Sequence, residues 1–222
     1  MFKTLFGKKS NFTGGDLIQE TIPLSGPEVL SAHPKFVAPR KIDSRDMCLS
    51  SSNQGQTPHC AGYSTAGYIE FNNWKTLHFP KQVNGDAIYA AAKKIDGYTG
   101  DGTTLTSAAN GAINLGLIQG KGKHVPPTRI DVKFALHEHG VCLAGFQITD
   151  EWNKTIKDGM IVDFGNRAKG LGGHAVLLCG YDSKGVYIQN SWGRGWGSHG
   201  FCLLRWKQFD KQLMSGLVVI DK

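Results

Sequence analysis

The sequence predicts an α+β protein, a helical lobe first and a β-rich lobe second, packed against each other. Three observations carry this. Helix-like stretches at 61–74, the first of them free of proline, 86–95 and 105–115 come first, and short strand-like runs dominate after Pro126-Pro127. The chain, 222 residues with 40% apolar content, is long enough to bury a sizeable core in one unit.

Residues 1–38 contain Gly14-Gly15, Pro23, Pro27 and Pro34 and predict an irregular arm or short leader, with one helical turn at 27–31. A polar loop, 50–59, leads to Cys60. Residues 61–74, with Tyr63, Ala66, Gly67, Ile69 and Trp74, predict a long buried helix that starts at Cys60. Two more helices follow at 86–95 and 105–115, separated by the loop 97–103. A fourth spans 131–139, and strands are expected at 141–146, 175–180, 186–189, 200–206 and 217–220. The expected division is an arm, 1–38, a helical lobe, 39–125, carrying Cys60, and a β-rich lobe, 126–222, carrying His174 and Asn190. The two lobes form one domain with a cleft between them.

A formal charge of +7 raises the question of nucleic acid, but Lys8-Lys9, Arg40-Lys41, Lys93-Lys94 and Lys121/Lys123 are scattered pairs. No run of like charge or nucleic-acid motif accompanies them, so no nucleic-acid partner is expected. No apolar run approaches the roughly 20 residues of a membrane span, so no membrane partner is expected either. The N-terminus lacks the apolar core of a secretory signal, which predicts a cytoplasmic protein or one released without a cleaved signal.

Five cysteines, an odd count without paired short spacing, argue against a disulfide framework. Cys142, Cys179 and Cys202 lie in strand-like stretches and are expected to be small buried hydrophobes. His137, His139 and Cys142 match no structural zinc spacing and read as polar residues at a helix end. No metal or cofactor is called for.

Four other residues supply the parts of a thiol-dependent acyl-transfer site: Cys60, His174, Asn190 and Gln54. A thiol of pKa about 8.5 is mostly protonated at neutral pH, and attack on an amide needs the thiolate. A helix N-terminus and a neighbouring imidazolium both stabilise that anion. His174 would then deliver the proton to the leaving amine, Asn190 would fix the imidazole ring, and the Gln54 amide would hold the oxyanion. Each has a plainer alternative: a structural thiol, a core histidine, a turn residue, a surface loop residue.

The run Asn190-Ser191-Trp192-Gly193-Arg194-Gly195-Trp196-Gly197-Ser198-His199-Gly200, with Gly172-Gly173-His174-Ala175-Val176 before it and Asn53-Gln54-Gly55 upstream of Cys60, resembles the papain-like cysteine peptidases from about Pro39 onward. The resemblance implies a two-lobe fold with an antiparallel, barrel-like β lobe, and a peptidase acting on peptide or protein substrates as a monomer. It gives Trp192 the task of shielding the His174–Asn190 contact. It implies that Gly102 and Thr103 pair with an extended substrate, and that Ala144 and Ala175 line an apolar pocket. Pro58 and Gly173 depart from the family pattern at neighbouring subsites. The usual cysteine three residues before the nucleophile is Thr57, so the family's bridge at that loop cannot form. His59, directly before Cys60, is open between perturbing the thiol, contacting substrate and filling the loop.

The arm is shorter than the family's inhibitory leaders; either it contacts the cleft or it is a surface strap. Two other functions stay open: a catalytically silent peptide-binding relative, and an amidase, isopeptidase or acyltransferase with the same Cys–His–Asn chemistry.

Overall fold

Helix α1, Cys60–Leu77, runs through the middle of the molecule, because small side chains let its neighbours come close on every side. Its residues from Cys60 to Phe71 are buried, Tyr63 alone excepted. A Cβ on Gly62 would stand 2.3 Å from the Gly85 carbonyl, so only glycine permits this approach to α2, Gly85–Lys93. At the far end the Tyr68 hydroxyl donates to the Ile220 carbonyl at 3.1 Å and accepts the Ile220 N–H at 3.0 Å, pinning α1 to the last strand. The structure, a computed structural model, describes residues 17–21, 26–49, 52–79, 81–154, 159–161 and 165–221.

Side-chain caps start the next helices. Asn84 accepts the Asp86 and Ala87 N–H groups at the head of α2; Thr104 accepts Ser107 N–H at α3, Leu105–Asn114. Thr128 accepts Asp131 N–H at α4, Arg129–His139, which stops at Gly140 with φ 82°. Each such cap is worth about 1 kcal/mol.

The strands are β1 (Ile42–Asp43), β2 (Lys121–His124), β3 (Cys142–Thr149), β4 (Gly170–Tyr181), β5 (Gly185–Gln189), β6 (Phe201–Arg205) and β7 (Leu213–Asp221). They form one antiparallel sheet in the order β2-β7-β3-β4-β5-β6, with β1 paired to the end of β4. The sheet is open, with β2 and β6 at its ends, and not the barrel-like closure the resemblance implied. Strand alternation splits its side chains between two cores. Leu143, Ala175, Leu177 and Val218 face α1, α2 and α3. Ala144, Phe146, Val176 and Leu178 face the opposite core, which holds residues of α4 and of α5, Trp206–Gln212.

Elements of both kinds fall on each side of the expected division at residue 125. β1 and β2 come from the stretch read as helical yet belong to the sheet, and α4 and α5 come from the stretch read as β-rich. α5, β1 and β2 were not expected. The turn at 27–31 is no helix: Val29 N–H closes on Gly26 and Val29 bridges to His124. Among the described residues no helix is long and apolar enough to cross a membrane.

Candidate active site

His174 sits in β4, paired across to Phe146 of β3, and its ring has no exposed surface. Nε2 lies 2.8 Å from Asn190 Oδ1. That oxygen also accepts the Ser191 N–H at 2.8 Å, which fixes which end of the amide faces the ring and puts the hydrogen on Nε2. Nδ1 is buried and makes no hydrogen bond among the described residues. Burial pushes His174 down to about 4, against the opposing pull of Asn190, so the imidazole is neutral in this arrangement.

Asn190 leaves β5 at a turn stitched by backbone contacts: its N–H donates to Gly200, and Trp196 N–H donates to Gly193. Trp192, which is buried, stacks at a tilt 4.8 Å from the His174 ring. Around these two pack Trp152, 6.2 Å from His174, and Trp196, whose Nε1 donates to the Trp152 carbonyl at 2.7 Å. The expected shield is thus part of a three-tryptophan wall. Trp152 had no signal in the sequence, since it comes from a 3-10 turn, Asp150–Asn153, far from either motif.

The side that carries Cys60 is built differently. Cys60 is the first residue of α1, is 1% exposed, and shares a buried cluster with Ala175, the neighbour of His174. The segment before it is sewn to the asparagine turn. Gln54 N–H donates to the Ser191 carbonyl at 2.9 Å, its Oε1 accepts the Ser191 hydroxyl at 2.5 Å, and its Nε2 donates to Thr57 O at 2.8 Å. One Nε2 hydrogen is therefore engaged and a second remains. Gly193 N–H donates to Ser52, and Asn53 bridges Trp192. His59 is held by α2, with Nδ1 2.7 Å from Asp86 Oδ1 and its ring stacked 3.8 Å from Tyr89.

The five cysteines are thiols, none in a disulfide. Cys142, Cys179 and Cys202 are buried as expected, and burial raises all three, Cys142 to about 12, which leaves them inert as nucleophiles.

The arm crosses the junction. Leu17 N–H donates to Gly173 O at 3.3 Å, one residue from His174, and Ile18 N–H donates to Thr103 O at 3.0 Å on the helical side. Glu20 accepts both the N–H and the hydroxyl of Thr106 in the first turn of α3. Leu17 is buried, and a Cβ on Gly173 would stand 2.5 Å from its carbonyl oxygen. The chain then runs past β2, where Leu30 N–H meets His124 O, and on to α4, where Ala32 N–H meets Asp131. Contact of the arm with this junction, expected as one of two options, is the arrangement found.

Two residues expected to bind substrate stand elsewhere. Ala144 pairs with Val176 and belongs to the opposite core; the residue paired with Ala175 is Gly145, over which the Leu17 side chain lies. The one-residue offset follows from alternation, which sends adjacent side chains to opposite faces. Gly102 turns its carbonyl to Lys93, and Thr103 is the residue whose carbonyl meets the arm.

The helix-borne cysteine, the sheet-borne histidine and the asparagine behind it define a cysteine protease architecture. The family model described as papain family cysteine protease matches residues 86–217, and the chain belongs to that family. The match takes in His174 and Asn190 and begins after Cys60. Solved structures agree on the fold. Xylellain, a cysteine protease from Xylella fastidiosa, superposes with a TM-score of 0.75 at 18% identity, over 95% of this chain and 96% of that one. Digestive procathepsin L 3 of Tenebrio molitor larval midgut gives 0.71 at 19% identity, over 95% and 76%. The procathepsin B S9 of Trypanosoma congolense gives 0.69 at 15%, over 93% and 85%. No curated protein matches the chain in sequence.

Proposed function

We propose that this papain-family peptidase is an endopeptidase that cuts peptide bonds through an acyl-enzyme, with Cys60 as nucleophile, His174 as acid and base, Asn190 as the orienting group and Gln54 as oxyanion donor. The observation that carries the reading is the 2.8 Å contact of His174 Nε2 with Asn190 Oδ1, which leaves Nδ1 for the thiol.

The Cys60 proton passes to His174 Nδ1, giving thiolate and imidazolium. Burial alone keeps this ring neutral, so the charged pair depends on the sulfur anion beside it and on water entering as the arm leaves. The sulfur attacks the carbonyl carbon, and the remaining Gln54 Nε2 hydrogen supports the oxyanion. The C–N bond breaks and the amine departs with the proton from Nδ1. Water then gives a proton to Nδ1 and attacks the thioester, the C–S bond breaks, and the acid leaves. Extended peptides would lie along Thr103 and Gly173, the carbonyls now taken by Ile18 and Leu17, so the arm is an internal block.

A peptide-like, thiol-directed electrophile tests the reading. In the chain carrying Leu17→Asp, which frees the edge the arm holds, rapid labelling at Cys60 that vanishes on adding His174→Ala is the expected result. Slow, even labelling of all cysteines would identify a silent scaffold. Peptide-library cleavage with internal cuts separates an endopeptidase from an amidase or acyltransferase.

A further inference from the structure

Lys93, the last residue of α2, turns its ammonium into the loop that follows. Nζ lies 3.1, 2.8 and 2.8 Å from the carbonyl oxygens of Tyr98, Gly100 and Gly102, and 2.9 Å from Asp96 Oδ2. The Asp96 side chain has no exposed surface and that of Lys93 is only 21% exposed. Burial pushes the Asp96 carboxyl up, but Lys93 and the Tyr98 N–H outweigh it and hold it below the ordinary carboxylate range. An ammonium has three hydrogens, and here four oxygens surround it. This is a cation built into a loop, unlike a solvated surface lysine.

The loop needs such a hold. Gly97, Gly100 and Gly102 make it costly to order, and residues 97–102 have no strand pairing or helix of their own. Successive carbonyls of an extended chain point to opposite sides. With the Gly102 carbonyl drawn to Lys93, the Thr103 carbonyl points the other way, where it receives the Ile18 N–H. A second tie runs from the loop to the nucleophile. The Tyr89 hydroxyl donates to Asp101 O at 2.6 Å, while the same ring stacks on His59, the residue before Cys60.

We propose that Lys93 and Tyr89 are positioning residues for peptide recognition. Together they hold the Thr103 carbonyl in fixed relation to Cys60, so that a main chain added along this edge brings its own carbonyl to the sulfur. In the present structure the Leu17–Ile18 stretch stands in for that main chain. The inference rests on the peptidase reading above.

Two measurements on the full chain test it. Amide hydrogen exchange reads the edge without any need for activity: in Lys93→Met the Ile18 amide should exchange about tenfold faster, the equivalent of one main-chain hydrogen bond, with Leu136 in α4 unchanged. The second uses the chain carrying Leu17→Asp, in which the arm is undocked. There Lys93→Met should slow labelling of Cys60 by a peptidyl electrophile roughly five- to tenfold and leave labelling by iodoacetamide unchanged. Lys93→Arg should restore part of both. Tyr89→Phe, which removes one hydroxyl, should give the same selective slowing, and it carries the test if Lys93→Met does not fold. Unchanged Ile18 exchange, or equal slowing of both reagents, overturns the inference. A Leu17→Asp chain that takes up the peptidyl reagent no faster than iodoacetamide overturns the peptidase reading itself, and the exchange result still decides whether Lys93 sets the edge.

Discussion

The two sides of the candidate site are held by different means. On the histidine side, His174 sits within the β3–β4 ladder, Asn190 leaves a sheet strand, and backbone contacts to Gly200, Gly193 and Ser52 fix the turn. On the Cys60 side, a few main-chain bonds to the asparagine turn are supplemented by single side chains: Gln54 to Ser191 and Thr57, His59 to Asp86 and Tyr89, Lys93 to its loop. A ladder shares its load over many bonds, whereas each of these side chains can be removed by one substitution. The histidine side should therefore vary little in geometry, and recognition should be adjustable from the other side.

The largest break is chemical. Cys60→Ala should lower peptide hydrolysis by at least about 10⁴-fold, while its melting temperature stays near that of the parent. Gln54→Ala comes next. Loss of an oxyanion donor costs about 10²- to 10³-fold in kcat, and this change also unties Ser191 from the nucleophile segment, so kcat and thermal stability should fall together. On the other side, Asn190→Ala should cost about 10- to 100-fold in kcat, with roughly 1–3 kcal/mol of stability lost in denaturant unfolding, because a buried ring N–H is left without its acceptor. Should Gln54→Ala leave the fold's stability unchanged, the contrast between ladder and side-chain support is lost.

The gentlest probe is pH, because two buried groups oppose each other. His174 is held down to about 4 from 6.5, so the stability it contributes is full above pH 6.5 and is lost as pH falls toward 4. Glu70 of α1 is 2% exposed; burial pushes it up from 4.5 to about 7, against the Val83 N–H that it accepts. It binds its proton more tightly when folded, so its contribution is full below pH 4.5 and is lost as pH rises toward 7. Each shift corresponds to something on the order of 3 kcal/mol, of opposite sign, so between pH 4.5 and 6.5 these two contributions largely offset each other. His174→Gln should expose a decline with rising pH, and Glu70→Gln a decline with falling pH, both read by urea unfolding at stepped pH.

Legibility in the sequence followed the same divide. The four long helices and the strands from Cys142 onward were visible because each has an apolar period of its own. His174 and Asn190 were visible because glycines and tryptophans stand near them in a fixed register, and Cys60 because of its spacing after Asn53-Gln54-Gly55. β1 and β2 were not, since Ile42–Asp43 is two residues long and Lys121–His124 reads as charged and polar; both are strands only because β4 and β7 offer them an edge. α5 was missed because only Trp206 and Phe209 of its seven residues are apolar, too few to show a period. Ala144 was misplaced against Gly145 because a single position decides which face a strand residue joins. The arm's docking and the contacts of Lys93 depend on residues distant in the fold, which local pattern does not encode.

The tie between the nucleophile segment and the loop bearing Thr103 consists of one ring lying on another and one hydroxyl on a carbonyl. Neither contains a bond that dithiothreitol or glutathione can open. A thiol enzyme must be kept reduced to work, and on the function proposed above the protein should keep its groove intact in strong reductant. Mild oxidants should silence it by altering the sulfur alone, and restoring the thiol should return full activity without any step of refolding.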